Sequence, residues 1–184
     1  MRKIWITLLA AACFTNGYAQ PVKLHGQLQV KGTQLVDKKG NVTVLHGMSF
    51  GWHNLWPRFY NAGAVHELVS QWKCNVIRAS MGIELNDSGY LKSPEQSVQL
   101  MENVIDACIK EGVYVLIDWH DHNIHQQQAI VFFERMAKKY SKYPNIIYEI
   151  YNEPDYETWA EVKAYSEALI KTIRAIDPEN IILV

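Results

Sequence analysis

The segment Ile147-Tyr-Glu-Ile-Tyr-Asn-Glu-Pro154 ends an apolar, β-prone run with an amide, a carboxyl and a proline. Glu153 is the group that can do chemistry. A carboxylic acid at a strand end can protonate a leaving oxygen and, once ionised, draw a proton from water. Cleavage of a glycosidic bond with retention uses such an acid, plus a second carboxylate roughly 5 Å away that attacks the anomeric carbon. The acid must keep its proton near neutral pH, through burial or through the second carboxylate. Pro154 stiffens the chain beside Glu153, and Asn152 adds an uncharged donor suited to a sugar hydroxyl. Taken alone, Asn-Glu-Pro is better explained as an ordinary loop carboxylate.

Three other segments change that balance. Each is an apolar run that ends in polar or aromatic residues. They are Leu45-His-Gly-Met-Ser-Phe-Gly-Trp-His-Asn, Val76-Ile-Arg-Ala-Ser-Met and Val115-Leu-Ile-Asp-Trp-His. Arg78 and His120 are the further groups fit for a site. Trp52, Trp56 and His53 are candidate sugar contacts, with core packing as the equal alternative. Trp119 alternates away from His120 and is expected to pack. Asp118 is expected to support the site without reacting, and Glu149 is a candidate ion-pair partner for Arg78.

The elements that position these residues are read from periodicity. Residues 24–46 form a short β-rich opening around Gly32 and Gly40. Strands are expected over 41–48, 75–81, 113–119, 145–151 and 180–184. The last four start 38, 32 and 35 residues apart. Between them lie helical stripes: Val65, Leu68, Val69, Trp72; then Val98, Met101, Ile105, Cys108, Ile109; then Ala129, Phe132, Phe133, Met136, Tyr140; then Val162, Tyr165, Leu169, Ile173, Ile176. Ser93-Pro94-Glu95-Gln96 and Thr158-x-x-Glu161 read as capping boxes, and Gly112 as a helix stop. This is an α/β chain with a parallel sheet. A (β/α)₈ barrel needs about 31 residues per unit, close to the observed spacing. Spacing alone does not separate a barrel from an open doubly wound sheet, although no strand is followed by a glycine-rich phosphate loop.

Taken together and in order, the four quoted segments resemble the endoglucanases (cellulases) of glycoside hydrolase family 5, from about residue 24 onward. The resemblance implies a (β/α)₈ TIM barrel of which this chain covers about the first half. It implies retaining chemistry, no cofactor and a β-1,4-glucan substrate. It makes Glu153 the acid/base and Asn152 the contact to the sugar 2-hydroxyl. Arg78 matches the arginine that orients the nucleophile, and His120 a histidine near the scissile sugar. The family's nucleophile is a second Glu at the end of the seventh strand, whereas this chain reaches only the fifth. The chain is therefore expected to be a piece of a longer enzyme and to be inactive alone.

Two other classes fit parts of the sequence. His120-Asp-His122, with His125 nearby, could hold a metal ion in a hydrolase of another type. A truncated, non-catalytic sugar-binding protein would keep the aromatic strand ends and lose the nucleophile. A formal net charge of −1 over 184 residues gives no reason to expect a nucleic acid partner. The expected state is a monomer.

Arg2 and Lys3, the apolar run to Phe14 and Gly17-Tyr18-Ala19 read as a secretory signal peptide over residues 1–19. The weaker alternative is acylation at Cys13. The reading gives a secreted, extracellular protein, with residues 20–184 as the catalytic-domain portion. Cys74 and Cys108 are expected to be buried thiols, not a disulfide. The exported protein should begin at Gln20; amino-terminal sequencing that finds residues 1–19 retained would contradict this.

Overall fold

The computed structural model describes residues 20–184. The signal segment and Cys13 lie outside the described residues. The described chain opens with a short helix, α1 (Pro21–His25), and an antiparallel hairpin of β1 (Gln29–Lys31) and β2 (Gln34–Val36). There follow β3 (Gly47–Trp52), α2 (Ala62–Ser70), β4 (Val76–Gly82), α3 (Pro94–Glu111), β5 (Tyr114–His120), α4 (Gln126–Tyr140), β6 (Ile146–Glu149), α5 (Trp159–Arg174) and β7 (Ile181–Leu183).

The five main strands are parallel and lie side by side in chain order, β3-β4-β5-β6-β7. A doubly wound sheet reverses direction partway, so that later strands add to the opposite edge. Here each strand adds to the same edge, which is how a (β/α)₈ barrel grows. The sheet accounts for about the first half of such a barrel.

Each strand builds two surfaces, because successive side chains point to opposite faces. On the outer face Ile77, Ala79 and Met81 of β4, Val115, Ile117 and Trp119 of β5, and Ile146 and Tyr148 of β6 are buried against the helices. The helices meet them with the stripes read from sequence. Ala129, Phe132, Phe133, Met136 and Tyr140 of α4 are all buried, as are Tyr165, Leu169 and Ile173 of α5. Burying a large apolar side chain contributes about 1.5–3 kcal/mol before the entropy of ordering it is counted. The helix ends obey local chemistry. Thr158 and Glu161 form the reciprocal capping box of α5, and Gly112 ends α3 at φ 72°, where a side chain would be strained.

The inner face is sorted along its height. Tyr114, Leu116, Ile147, Ile181 and Val76 form a small apolar cluster at the amino-terminal end of the strands. The opening segment covers that end: Val22, Leu28 and Leu35 join the cluster, and the Tyr114 hydroxyl donates to the Gly26 carbonyl at 2.7 Å. Two residues further along the same strands, the inner face carries Arg78, Asp118 and Glu149.

Several elements differ from the sequence reading. The first main strand runs over Gly47–Trp52, not 41–48, because the β-prone residues before it extend the opening hairpin. Val42 bridges Val36, and Thr43 N–H donates to the Leu35 carbonyl. Strand β6 stops at Glu149, two residues short of expectation. Ser93 precedes α3 but caps nothing, since its hydroxyl donates to the Asp87 carbonyl. Trp72 lies past the end of α2 and is exposed, and α1 had no signal in the hydrophobic pattern. Cys74 and Cys108 are both buried, and Cys108 is an unbridged thiol.

His53 is the largest correction to the candidate site. It is fully buried and cannot touch a sugar. Its Nδ1 accepts from Gly82 N–H at 2.9 Å, which fixes the proton on Nε2, and Nε2 meets the Ser97 hydroxyl at 2.9 Å. The ring thus ties the β3 exit to β4 and α3. Burial pushes its pKa down to about 4. The unfolded chain takes up this proton near pH ~6.5, so stability is intact above that pH and is lost progressively as pH falls toward 4. The shift corresponds to about 3 kcal/mol at most. Thermal melts between pH 7 and 4 should show this loss, and His53→Asn, which keeps an acceptor but does not titrate, should reduce it. Equal pH dependence in both proteins would contradict the assignment.

Candidate active site

Arg78 is the centre of the polar layer. Its Nε and Nη2 donate to the two oxygens of Glu149 at 2.7 and 2.6 Å, a bidentate pairing between β4 and β6. Nη2 also lies 3.1 Å from Asp118 Oδ2 on β5 and donates to Asn152 Oδ1 at 2.8 Å. One planar cation therefore joins three strands and the loop after the last of them. Only a guanidinium offers enough donors in a fixed plane to do this. Burial works against its charge, but Glu149 and Asp118 more than offset it and hold the Arg78 pKa above the usual value.

Asp118 is fully buried between Arg78 and His120. Its Oδ2 lies 2.7 Å from His120 Nδ1. That short contact assigns the proton to His120 Nδ1 and leaves Nε2 as the acceptor of the neutral ring. Burial, with Glu149 adding to it, pushes the Asp118 carboxyl above the ordinary range, while His120 and Arg78 pull it back. Its supporting role was legible from sequence.

Asn152 and Glu153 follow from this anchorage. Beyond β6, Ile150 N–H still pairs with the Leu183 carbonyl at 3.1 Å, and then the chain leaves the sheet. Arg78 fixes the Asn152 amide, and Glu153 N–H donates to the Asp121 carbonyl at 3.3 Å. The Glu153 side chain stands clear, 66 % exposed. The structure thus brings the Arg78 side chain, from within β4, together with His120 at the carboxyl end of β5 and with Asn152 and Glu153 just past β6.

The two candidate indoles occupy different surroundings. Trp52, not Trp56, is the indole against the histidines. Its ring meets His120 edge-on at 4.9 Å and lies nearly parallel to His122 at 5.5 Å. Gly51 makes this placement possible: at φ 66° it sits within the register shift between Ser49 and Trp52 that re-aims the strand end. Trp56 is exposed, with the Arg58 guanidinium 5.2 Å above its ring. Trp119 packs against Tyr90 and Phe132 on the outer face, as alternation required.

Two residues were undervalued by the sequence reading. Asp121, which the sequence offers only as the middle of His120-Asp-His122, is buried. Its carboxylate accepts from the backbone N–H groups of His122 and Asn123 and contacts the His125 ring at 2.7 Å. His122 enters the sequence reading only as part of the metal alternative. Continuing the alternation of 118 and 120 by one step would have put it on the inner face. Among the described residues no three His, Cys, Asp or Glu side chains gather to hold a metal ion. His120 and His125 are committed to Asp118 and Asp121 respectively.

Comparison with known proteins bears on this arrangement. The family model for cellulase (glycosyl hydrolase family 5) matches residues 36–184. The chain is 39% identical to endoglucanase Z of Dickeya dadantii, covering 96% of this chain and 42% of that protein. It is 35% identical to endoglucanase E-5 of Thermobifida fusca, over 91% of this chain and 37% of the relative. It thus spans about two fifths of the length of these relatives. Among solved structures, one from Cytophaga hutchinsonii superposes with a TM-score of 0.87 at 41% identity, covering 90% of this chain and 55% of that one. The catalytic domain of the Thermobifida fusca endoglucanase superposes at 0.84 with 34% identity and the same coverage. The chain belongs to the cellulases of glycosyl hydrolase family 5.

Proposed function

We propose that the chain is the amino-terminal part of a secreted endo-β-1,4-glucanase that cleaves its substrate with retention of configuration. The observation that carries this reading is the convergence of Arg78 from within β4, His120 at the carboxyl end of β5, and Asn152 and Glu153 just past β6. A solved relative, a variant of the Thermobifida fusca enzyme, was obtained in complex with cellotetraose, which supports a β-1,4-glucan as substrate. The Met1–Ala19 pattern supports export.

In this reading Glu153 gives its proton to the departing glycosidic oxygen. A carboxylate contributed by residues beyond Val184 attacks the anomeric carbon and forms a glycosyl ester. Glu153, now ionised, takes a proton from water, and the resulting hydroxide equivalent releases the sugar. Asn152 holds the 2-hydroxyl of the reacting sugar. Arg78 keeps Asn152 in place and supplies positive charge beside the incoming carboxylate. The exposed Glu153 side chain leaves room for both the glucan and that second carboxylate.

The test uses the enzyme with its complete barrel. Glu153→Gln keeps the shape and removes the titrating proton. Hydrolysis of soluble β-1,4-gluco-oligosaccharides, whose leaving group is a sugar hydroxyl, should fall by roughly 10² or more. Formation of the glycosyl ester from a dinitrophenyl cellobioside should fall far less, because an acidic phenol departs without a proton. Equal losses on both substrates, or a wild-type rate on the oligosaccharide, would contradict the assignment.

A further inference from the structure

Among the described residues His122 is the one histidine in contact with Glu153, and the reaction scheme above gives it no part. Its Nδ1 lies 3.6 Å from Glu153 Oε2 and 3.6 Å from Asp155 Oδ2. Both distances exceed a good hydrogen bond, and Nδ1 carries at most one proton. The contact is therefore an electrostatic one, shared between two carboxylates.

The ring is held there from three sides. Trp52 lies against its face at an interplanar angle of 28°. His120 meets it at 84° with centroids 6.4 Å apart. Its backbone N–H is fixed by the Asp121 carboxylate at 2.9 Å, and Asp121 also receives the Glu153 backbone N–H on its carbonyl. His122 and Glu153 thus hang from the same buried residue, which sets their separation. Among the described residues, the titratable groups facing this pair are His120 on β5, the buried Asp121 carboxylate beside the His122 backbone, and Asp155 on the loop after β6; Trp52 on β3 is uncharged.

We propose that His122 is a positioning residue that biases Glu153 toward its ionised form and so sets the pH range over which Glu153 can serve as acid. This rests on Glu153 being the acid/base. A protonated His122 favours the Glu153 carboxylate and screens it from Asp155. With a neutral side chain at 122, Asp155 faces Glu153 unscreened. Both changes act in the same direction and favour the protonated acid. The alkaline limit of the glycosylation step should therefore rise when the imidazole is removed. The groups are partly exposed, so the shift is modest and weakens with salt.

The experiment compares wild type with His122→Asn in the full enzyme; Asn keeps a neutral amide where Nδ1 stood. The alkaline limb of kcat/KM on a β-1,4-gluco-oligosaccharide should move up by roughly half a pH unit. The plateau value should change by less than about threefold. Added salt should move the wild-type limb toward that of the variant. On dinitrophenyl cellobioside, which needs no acid in the first step, kcat/KM should show no such shift. A merely structural role would lower the plateau and the melting temperature and leave the limb in place. Superposable profiles, or equal shifts on both substrates, would overturn the proposal. If Glu153→Gln retains full oligosaccharide hydrolysis, the acid/base reading fails and this proposal with it. If Glu153→Gln behaves as expected while the His122→Asn profile is unchanged, only the role of His122 fails.

Discussion

The arrangement rests on one partly buried cation. Arg78 pairs with Glu149 in bidentate fashion, touches Asp118 and holds the Asn152 amide. Without it, two carboxylates would face each other on the inner surface of a sheet with no compensating charge. Removing one partner of a fully buried ion pair typically costs about 3–5 kcal/mol, because the other is left unpaired; here Asp118 is fully buried, while Arg78 and Glu149 keep some contact with solvent, which reduces the cost. The pairing is weak evidence for stability gained over an apolar layer. It is stronger evidence for a site, since an apolar layer there could not orient Asn152 or fix the His120 tautomer. The polar layer therefore reads as a cost in stability that serves geometry.

That layer stays in place because the same strands are anchored on their other face. Ile77, Ala79 and Met81 alternate with Arg78 and Ser80, and Ile117 and Trp119 alternate with Asp118 and His120. Sliding either strand by one residue would put the charges into the helix-covered core. The outer packing thus fixes the register, and the register fixes which charges meet. The plug of Leu28, Val22 and Leu35 covers the opposite end of the inner face, so its apolar floor and polar top come from one alternation read at different heights.

The parts of the fold visible in the sequence were those set by local rules. The helix stripes of α3, α4 and α5, the Thr158 capping box, the Gly112 stop and the outward turn of Trp119 need only neighbours a few residues away. Strand order resolved what spacing left open, since the direction of sheet growth is a property of the whole chain. The misses share a different cause. Val42-Thr43-Val44 has the composition of a main strand, yet tertiary pairing gives it to the opening hairpin. Ser93 has the composition of a cap, yet its hydroxyl finds the Asp87 carbonyl first. His53 and His122 are chemically identical in the sequence; the first is locked between Gly82 and Ser97, and the second stands beside Glu153. No local pattern tells these apart, because burial is decided by elements far along the chain. The pairing of Arg78 with Glu149 was legible: a strand arginine facing the barrel interior needs a carboxylate, and Glu149, one inner-facing step beyond Ile147, is the acid that β6 offers.

The central claim is that Glu153, held by Arg78 through Asn152 and by Asp121, is the acid/base and not the nucleophile of a retaining enzyme. Azide rescue of Glu153→Ala in the complete enzyme tests this most directly. Azide is a strong nucleophile that needs no general base. In an acid/base variant it attacks the glycosyl ester from the face that Glu153 vacated, so a dinitrophenyl cellobioside should yield a cellobiosyl azide of β configuration at an increased rate. An azide of α configuration would mean that Glu153 occupied the nucleophile's face, and no rate increase or azide product would mean that it serves neither step; either result would contradict the account.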